Sequence, residues 1–273
     1  MQKLVDDKEF SISSDSNICF VTLNSSSTKN AISFRMAKLM QDICSPLSGG
    51  TTYFEKFITE QSCQLIILKS EVKGIFSSGG NLIELAKFSS EYGNLYTSAI
   101  YKFCSLLHQT NAISISVLTG PAYGGGAELA LATDFRWGVG KSYALHFSQA
   151  QFGLPTGWGG MLRLAELCPN LNQRKIAAYL ITKTVMDKKQ LLQNGLVDKE
   201  FTSKKACFNE IKNWSLELQN CPISLKQGLF ERQNIFNYDA LEEYDKEFFS
   251  KHFLQEDHKN KINLFLKNRK KRK

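Results

Sequence analysis

The chain has 273 residues, 42% of them apolar and 11% aromatic, with a net charge of +8. That length suits one large core, or a core with a smaller helical part, and no apolar run reaches the ~18 residues of a membrane span. Seven cysteines stand without a CxxC pair or a His/Cys cluster, which gives no support to a structural zinc site and points to reduced thiols in a cytoplasmic compartment.

The opening MQKLVDDKEF lacks an apolar signal core, which fits the same compartment. Ile18 to Leu23 reads as a strand after a polar hairpin around Ser13–Asn17. Asn24 to Lys29 is a Ser-rich loop. Ile32, Met36, Leu39, Met40 and Ile43 then fall on one face at helical spacing. Ser48 to Thr52 is a loop, and Cys63 to Leu68 is a continuous apolar run, predicting a strand covered on both faces. Residues 74–88, GIFSSGGNLIELAKF, give a strand end, a Ser/Gly loop and a helix start. Tyr96, Ile100, Phe103 and Leu107 mark a further helix.

The central stretch repeats this logic. Ile113 to Leu118 predicts a buried strand, broken by Gly120 and Pro121. Gly124, Gly125 and Gly126 follow, and then Ala127, Glu128, Leu129, Ala130 and Leu131, all good helix formers. Adjacent glycines let a ligand approach the main chain. The first N–H groups of a helix have no internal partner and sit at the positive end of its dipole. An N–H of Gly125 can therefore meet an oxygen that gains charge, with Glu128 on the same first turn. Two such loops after two strands can bring two N–H donors to one oxygen.

Phe135 to Val139 reads as a short strand, and SYALHFSQAQFGLPTGWGGMLRL follows at 142–164. His146 and Tyr143 read as packed residues, Cys104 and Cys168 as small apolar ones, and Tyr123 and Trp158 as core or pocket wall. Gln173 to Lys183 predicts a helix. Asp187 predicts the N-cap of the next one, with Gly195 as its stop. From Lys204 the pattern is helical, with breaks at Pro222 and Asn237. The closing LKNRKKRK reads as a solvated basic tail. A basic patch can also meet nucleic acid, but no dedicated RNA-binding pattern is present.

Three groups of residues carry a resemblance. Phe76, Ser77, Ser78, Gly79, Gly80, Asn81 and Leu82 form the first. Gly120, Gly124–Gly126, Glu128, Leu129, Ala130 and Asp134 form the second. Phe147, Gly153, Gly159, Gly160, Arg163 and Leu164 form the third. In this order they resemble the signatures of the crotonase (enoyl-CoA hydratase/isomerase) superfamily over about residues 10–270. The resemblance implies an α/β fold: a spiral of ββα units over 1–203, followed by a helical C-terminal region over 204–273 that serves in trimers or dimers of trimers. It also implies acyl-CoA thioesters as substrates, with no metal or redox cofactor, while the lack of a spanning apolar run sets the expectation of no membrane partner.

By the same resemblance, the thioester carbonyl sits between the N–H groups of Gly80 and Gly125, and Glu128 transfers the proton. Phe76, Ser78, Leu82 and Gly124 join Gly80 and Gly125 in holding the acyl-CoA. Two departures stand out. Asn81 replaces the family's Asp, keeping size and capping ability without the charge. Gln151 stands where hydratases place a second glutamate, and an amide cannot exchange a proton at neutral pH. A positioned acid or base is worth ~10²–10⁴ in rate, so double-bond isomerisation or decarboxylation fits better than hydration. The WGG at 158–160 likewise resembles the decarboxylase-like and isomerase-like branches. A true 2-enoyl-CoA hydratase, thioester cleavage, and a non-catalytic acyl-CoA- or RNA-binding homologue are the alternatives.

Overall fold

A computed structural model describes residues 1–168, 171–219, 249–250 and 253–270. The breaks expected at Pro222 and Asn237 and the last three residues of the basic tail lie outside them.

The strands are β1 (Gln2–Asp6), β2 (Phe10–Asp15), β3 (Ile18–Leu23), β4 (Ala31–Ile32), β5 (Leu65–Ser70), β6 (Gly79–Gly80), β7 (Ile113–Leu118), β8 (Ala122–Tyr123), β9 (Phe135–Val139), β10 (Leu145–His146), β11 (Val185–Met186) and β12 (Lys199–Phe201). Seven of them form the main sheet, in the order β1-β2-β3-β5-β7-β9-β12. β1 to β3 make an antiparallel meander. From β3 onward every neighbour is parallel, with Leu65 opposite Ile113 and Ile115 opposite Phe135.

Parallel neighbours need crossovers, and helices supply most of them. They are α1 (Phe34–Ile43), α2 (Tyr53–Glu60), α3 (Leu82–Leu85), α4 (Ser90–Gln109), α5 (Gly125–Ala130), α6 (Gly160–Leu167), α7 (Gln173–Ile181), α8 (Lys188–Gln193), α9 (Lys204–Leu218) and α10 (Glu256–Lys270). The apolar run of β5 is buried on both faces as its sequence predicts. Ile66 and Leu68 join the large cluster that includes α1 and α4. Leu65 and Ile67 point the other way, with Ile115, Val117 and Trp137, under Cys207 and Ile211 of α9. Gln64 and Asn17 tie α9 down, donating to the carbonyls of Leu218 at 2.6 Å and Ser215 at 2.9 Å.

Two small sheets carry the glycine-bearing loops. β4 pairs with β6, and β8 with β10 and β11. Ile32, which its spacing assigns to the first helix, lies instead in β4. Its carbonyl accepts from the Asn81 N–H at 3.0 Å and from the Tyr96 hydroxyl at 2.8 Å, so it is held beside the glycine loop. Buried Asn30 braces the same loop, accepting from Ser25 N–H at 2.7 Å and donating to the Phe76 carbonyl at 2.9 Å. The two glycine loops are then joined directly: the Tyr123 N–H donates to the Ser77 carbonyl at 2.9 Å. A Cβ on Gly126 would stand 2.8 Å from that same carbonyl oxygen.

Gly120 brings the two loops' stems together; a Cβ there would lie 2.6 Å from the main-chain oxygen of Gly74 and the nitrogen of Ile75. Main chain cannot step aside as a side chain can. Gly120→Ala should lose about 1–3 kcal/mol, read as a lower urea midpoint at unchanged slope. An unchanged midpoint would show that the loops have room to part.

Candidate active site

The converging loops open onto a cavity of about 590 Å³, counted out to its solvent mouth. Ser78, Gly79 and Gly80 line it from one loop, Gly124 and Gly125 from the other, with Leu82 beside them. The main chains touch: a Cβ on Gly79 would sit 3.3 Å from the Gly125 nitrogen and 2.6 Å from the Tyr123 oxygen. Gly79 has φ +86° and Gly124 φ +52°, the left-handed region where glycine carries no Cβ penalty. Gly125 is the first residue of α5, so its N–H has no acceptor within that helix. Phe76 is placed elsewhere. It is fully buried in the core beneath the loop and does not line the cavity. Asn81 does what its capping ability suggests, accepting from the N–H groups of Ile83 and Glu84 at the start of α3.

Glu128 projects from α5 into the cavity and is 2% exposed. Its Oε1 accepts from Gln149 Nε2 at 2.8 Å and Gly157 N–H at 3.2 Å. Its Oε2 accepts from Trp158 N–H at 2.6 Å and Gly160 N–H at 2.9 Å. A carboxylate offers about four lone-pair positions, and each here has a donor. Burial pushes the carboxyl upward in pKa, and the four donors partly offset that. Gly160 is needed for the approach, since a Cβ would stand 2.6 Å from Glu128 Cγ. The loop also lays the Trp158 indole on Gly125, so closely that a Cβ on that glycine would clash, and edge-on to Tyr96 at 6.2 Å.

The structure does not bring Gln151 to this cavity. Gln149 to Phe152 is a single 3₁₀ turn, closed by Gly153 at φ +71°. Side chains three apart eclipse in such a turn. Gln149 and Phe152 therefore face inward together, and Gln151 is exposed. Gln149 is the amide beside Glu128, and its buried Oε1 has no partner among the described residues. The neighbouring carboxylates in sequence are used elsewhere. Asp134 accepts from the Ser114 N–H and hydroxyl, both at 2.8 Å. Glu166 lies 3.5 Å from His108.

Other residues fall outside the site as packed groups. His146 stacks on Tyr123 at 4.2 Å, and burial lowers its pKa. Tyr143 is buried and donates to Glu200. Burial pushes the thiols of Cys104 and Cys168 up to about 12 and about 11, so both stay protonated at neutral pH. Among the described residues no cluster could hold a metal ion, and no helix is long and apolar enough to cross a membrane.

The wall also takes residues from far outside the motif stretches: Tyr96 and Thr97 of α4, with Phe249, Phe253 and His258. The last three come from the C-terminal segment. Gly93 is the sequence signal for it, because a glycine inside a helix costs about 1 kcal/mol and calls for a packing reason. A Cβ there would collide with Leu254 and stand 2.8 Å from Phe253 Cε1; at Gly157 it would collide with Phe249. His258 is 2% exposed. Its Nδ1 accepts from the Leu254 N–H at 2.8 Å, and burial lowers its pKa to about 4.

A spiral α/β core whose paired glycine loops meet beside a buried glutamate defines the crotonase class. The family model described as enoyl-CoA hydratase/isomerase matches residues 13–272, and the chain belongs to that family. Among curated relatives, the chain is 27% identical over 216 residues to a probable mitochondrial enoyl-CoA hydratase 2 of Arabidopsis thaliana, covering 79% of this chain and 67% of that protein. It is 27% identical to ethylmalonyl-CoA decarboxylase of Xenopus laevis, covering 74% of this chain and 63% of the relative. It is 29% identical to human mitochondrial methylglutaconyl-CoA hydratase, covering 66% and 49%. The chain thus spans about half to two thirds of these relatives' lengths. In fold it matches an enoyl-CoA hydratase from Bacillus halodurans with a TM-score of 0.77 at 16% identity, covering 94% of this chain and 99% of the other. It also matches one from Thermobifida fusca YX, solved with acetoacetyl-CoA, with a TM-score of 0.67 at 18% identity, covering 88% and 93%.

Two outcomes follow from this geometry. Glu128→Gln turns an acceptor oxygen into an NH₂ that faces buried N–H groups, and should cost roughly 1–3 kcal/mol in urea unfolding. An unshifted midpoint would mean that the loop at 157–160 does not depend on the charge. For His258, the folded value of about 4 lies below the ordinary 6.5, so the neutral ring is the form folding favours. Its contribution is complete above pH 6.5 and is withdrawn as pH falls toward 4. Wild type should therefore lose more Tm than His258→Asn over that window, and equal losses would contradict the assignment.

Proposed function

We propose that the chain is an acyl-CoA enzyme that forms a thioester enolate by releasing carbon dioxide from a malonyl-type ester. One observation carries this reading. Glu128 is the one carboxylate that lines the cavity among the described residues, and N–H donors occupy its four acceptor positions. It has no lone pair left to hold a water or take a proton unless one of those bonds breaks. Hydration through two carboxylates lacks its second member, because the neighbouring group is the amide of Gln149.

Decarboxylation makes neither demand. The bond between the α-carbon and the carboxylate breaks, its electron pair enters the enolate, and CO₂ departs. The enolate oxygen is held by the N–H groups of Gly80 and Gly125, and the α-carbon then takes a proton from water. The reaction consumes only the thioester and a proton. Each such donor is worth about 10²–10³ in rate. Walls such as Leu82, Leu85, Leu154 and Phe253, with no Lys or Arg among the lining residues, leave the carboxylate without a counter-ion and favour its loss as a neutral gas. Several relatives are named ethylmalonyl-CoA decarboxylase, which supports this choice, and the neighbour solved with acetoacetyl-CoA supports an acyl-CoA ligand.

Isomerisation is the second reading, favoured by the burial-raised Glu128 carboxyl. Breaking the long Gly157 bond of 3.2 Å would free one lone pair for the α-proton. Leu264 and Phe265, exposed on α10, fit a homotrimer or a dimer of trimers, and buried free cysteines fit a reducing compartment such as the cytoplasm.

The deciding assay offers ethylmalonyl-, 3-enoyl- and 2-enoyl-CoA esters to the purified protein. CO₂ release from the first is expected, with Glu128→Gln lowering kcat less than about tenfold at a temperature where it stays folded. A proton-transfer residue would instead cost ~10²–10⁴. Turnover of the enoyl esters without CO₂ release overturns the decarboxylase reading.

A further inference from the structure

The part of the cavity built by α4 and the C-terminal segment holds two hydrogen-bond donors that donate to no described residue. The first is Thr97, on α4 one turn beyond Gly93. Its hydroxyl is buried and has no partner among the described residues. A helical threonine commonly returns its hydroxyl to the carbonyl four residues back, here Gly93. That bond is absent. The second is His258. Its Nδ1 is taken by the Leu254 N–H at 2.8 Å, so the neutral ring carries its proton on Nε2. That Nε2 makes no hydrogen bond to another described residue.

The two donors share one place. Gly93 is where Phe253 and Leu254 rest on α4, and the His258 ring is bonded to Leu254 itself. Thr97 lies on the same helical face as Gly93, four residues on. Both side chains line the cavity, and both are more than nine-tenths buried.

We propose that Thr97 and His258 form a subsite for an acceptor oxygen on the acyl group, namely the carboxylate of a 2-carboxyacyl thioester. The inference rests on the decarboxylase reading and names the groups that hold the leaving carboxylate. Neutral donors suit that task. They fix the direction of the carboxylate, whereas a cation would stabilise the ground state more than a transition state that is losing its charge.

The test compares butyryl-CoA with its 2-carboxy derivative, using wild type, Thr97→Val and His258→Asn. Valine keeps the shape of threonine without the hydroxyl. Asparagine offers an oxygen to the Leu254 N–H in place of Nδ1 but has no group at the Nε2 position. The readouts are Kd for esters that survive and KM with kcat for those consumed, alongside Tm for each variant. Wild type should prefer the carboxylated ester. Each substitution should cut kcat/KM for it about tenfold while changing butyryl-CoA binding less than twofold. Equal effects on both esters, or no wild-type preference, overturn the subsite. A preference that persists without CO₂ release leaves the subsite standing and overturns the decarboxylase reading alone.

Discussion

A single buried carboxylate organises the cavity end of this protein. Burying an ionised carboxyl is expensive unless its oxygens are bonded. Glu128 meets that condition by drawing in the main chain of Gly157, Trp158 and Gly160 and the side chain of Gln149. The loop that answers this need is also the one that lays Trp158 over Gly125, so the solvation of one charge shapes the wall of the cavity. In a two-carboxylate site such donors would be divided between two groups. Here one group takes them all and becomes a structural anchor.

Glycines act as the complementary constraint. Gly79, Gly126 and Gly160 let backbones meet backbones or Glu128, while Gly93 and Gly157 receive side chains from the far end of the chain. The first set holds the two N–H-bearing loops against each other. The second lets residues 249–258 settle into the cavity wall. A methyl group at any of these points would separate elements that the site needs in contact.

Much of the fold could be read from periodicity. The apolar runs at 18–23, 113–118 and 135–139 become β3, β7 and β9 with those bounds, because buried parallel strands need little more than continuous apolar sequence. Ile32 misled, since helical spacing cannot see a carbonyl recruited by Asn81 and Tyr96. At the site, the motifs located Glu128 and both glycine loops, which are local strand–turn–helix features. Gln151 was a different matter. Which of two nearby glutamines faces inward depends on the turn being 3₁₀ rather than α-helical, and counting from Phe147 does not reveal that. The contribution of Phe249, Phe253 and His258 was hidden by distance along the chain, with the helix-interior Gly93 as its one local trace.

That distance has a consequence for synthesis. Chains emerge from the ribosome N-terminal end first, and cores fold as they appear. Both glycine loops, Glu128 and its donors lie within the first 160 residues, yet the cavity gains its last wall only from positions 249–258. During translation the glycine loops and Glu128 therefore emerge well before the segment that completes the cavity wall.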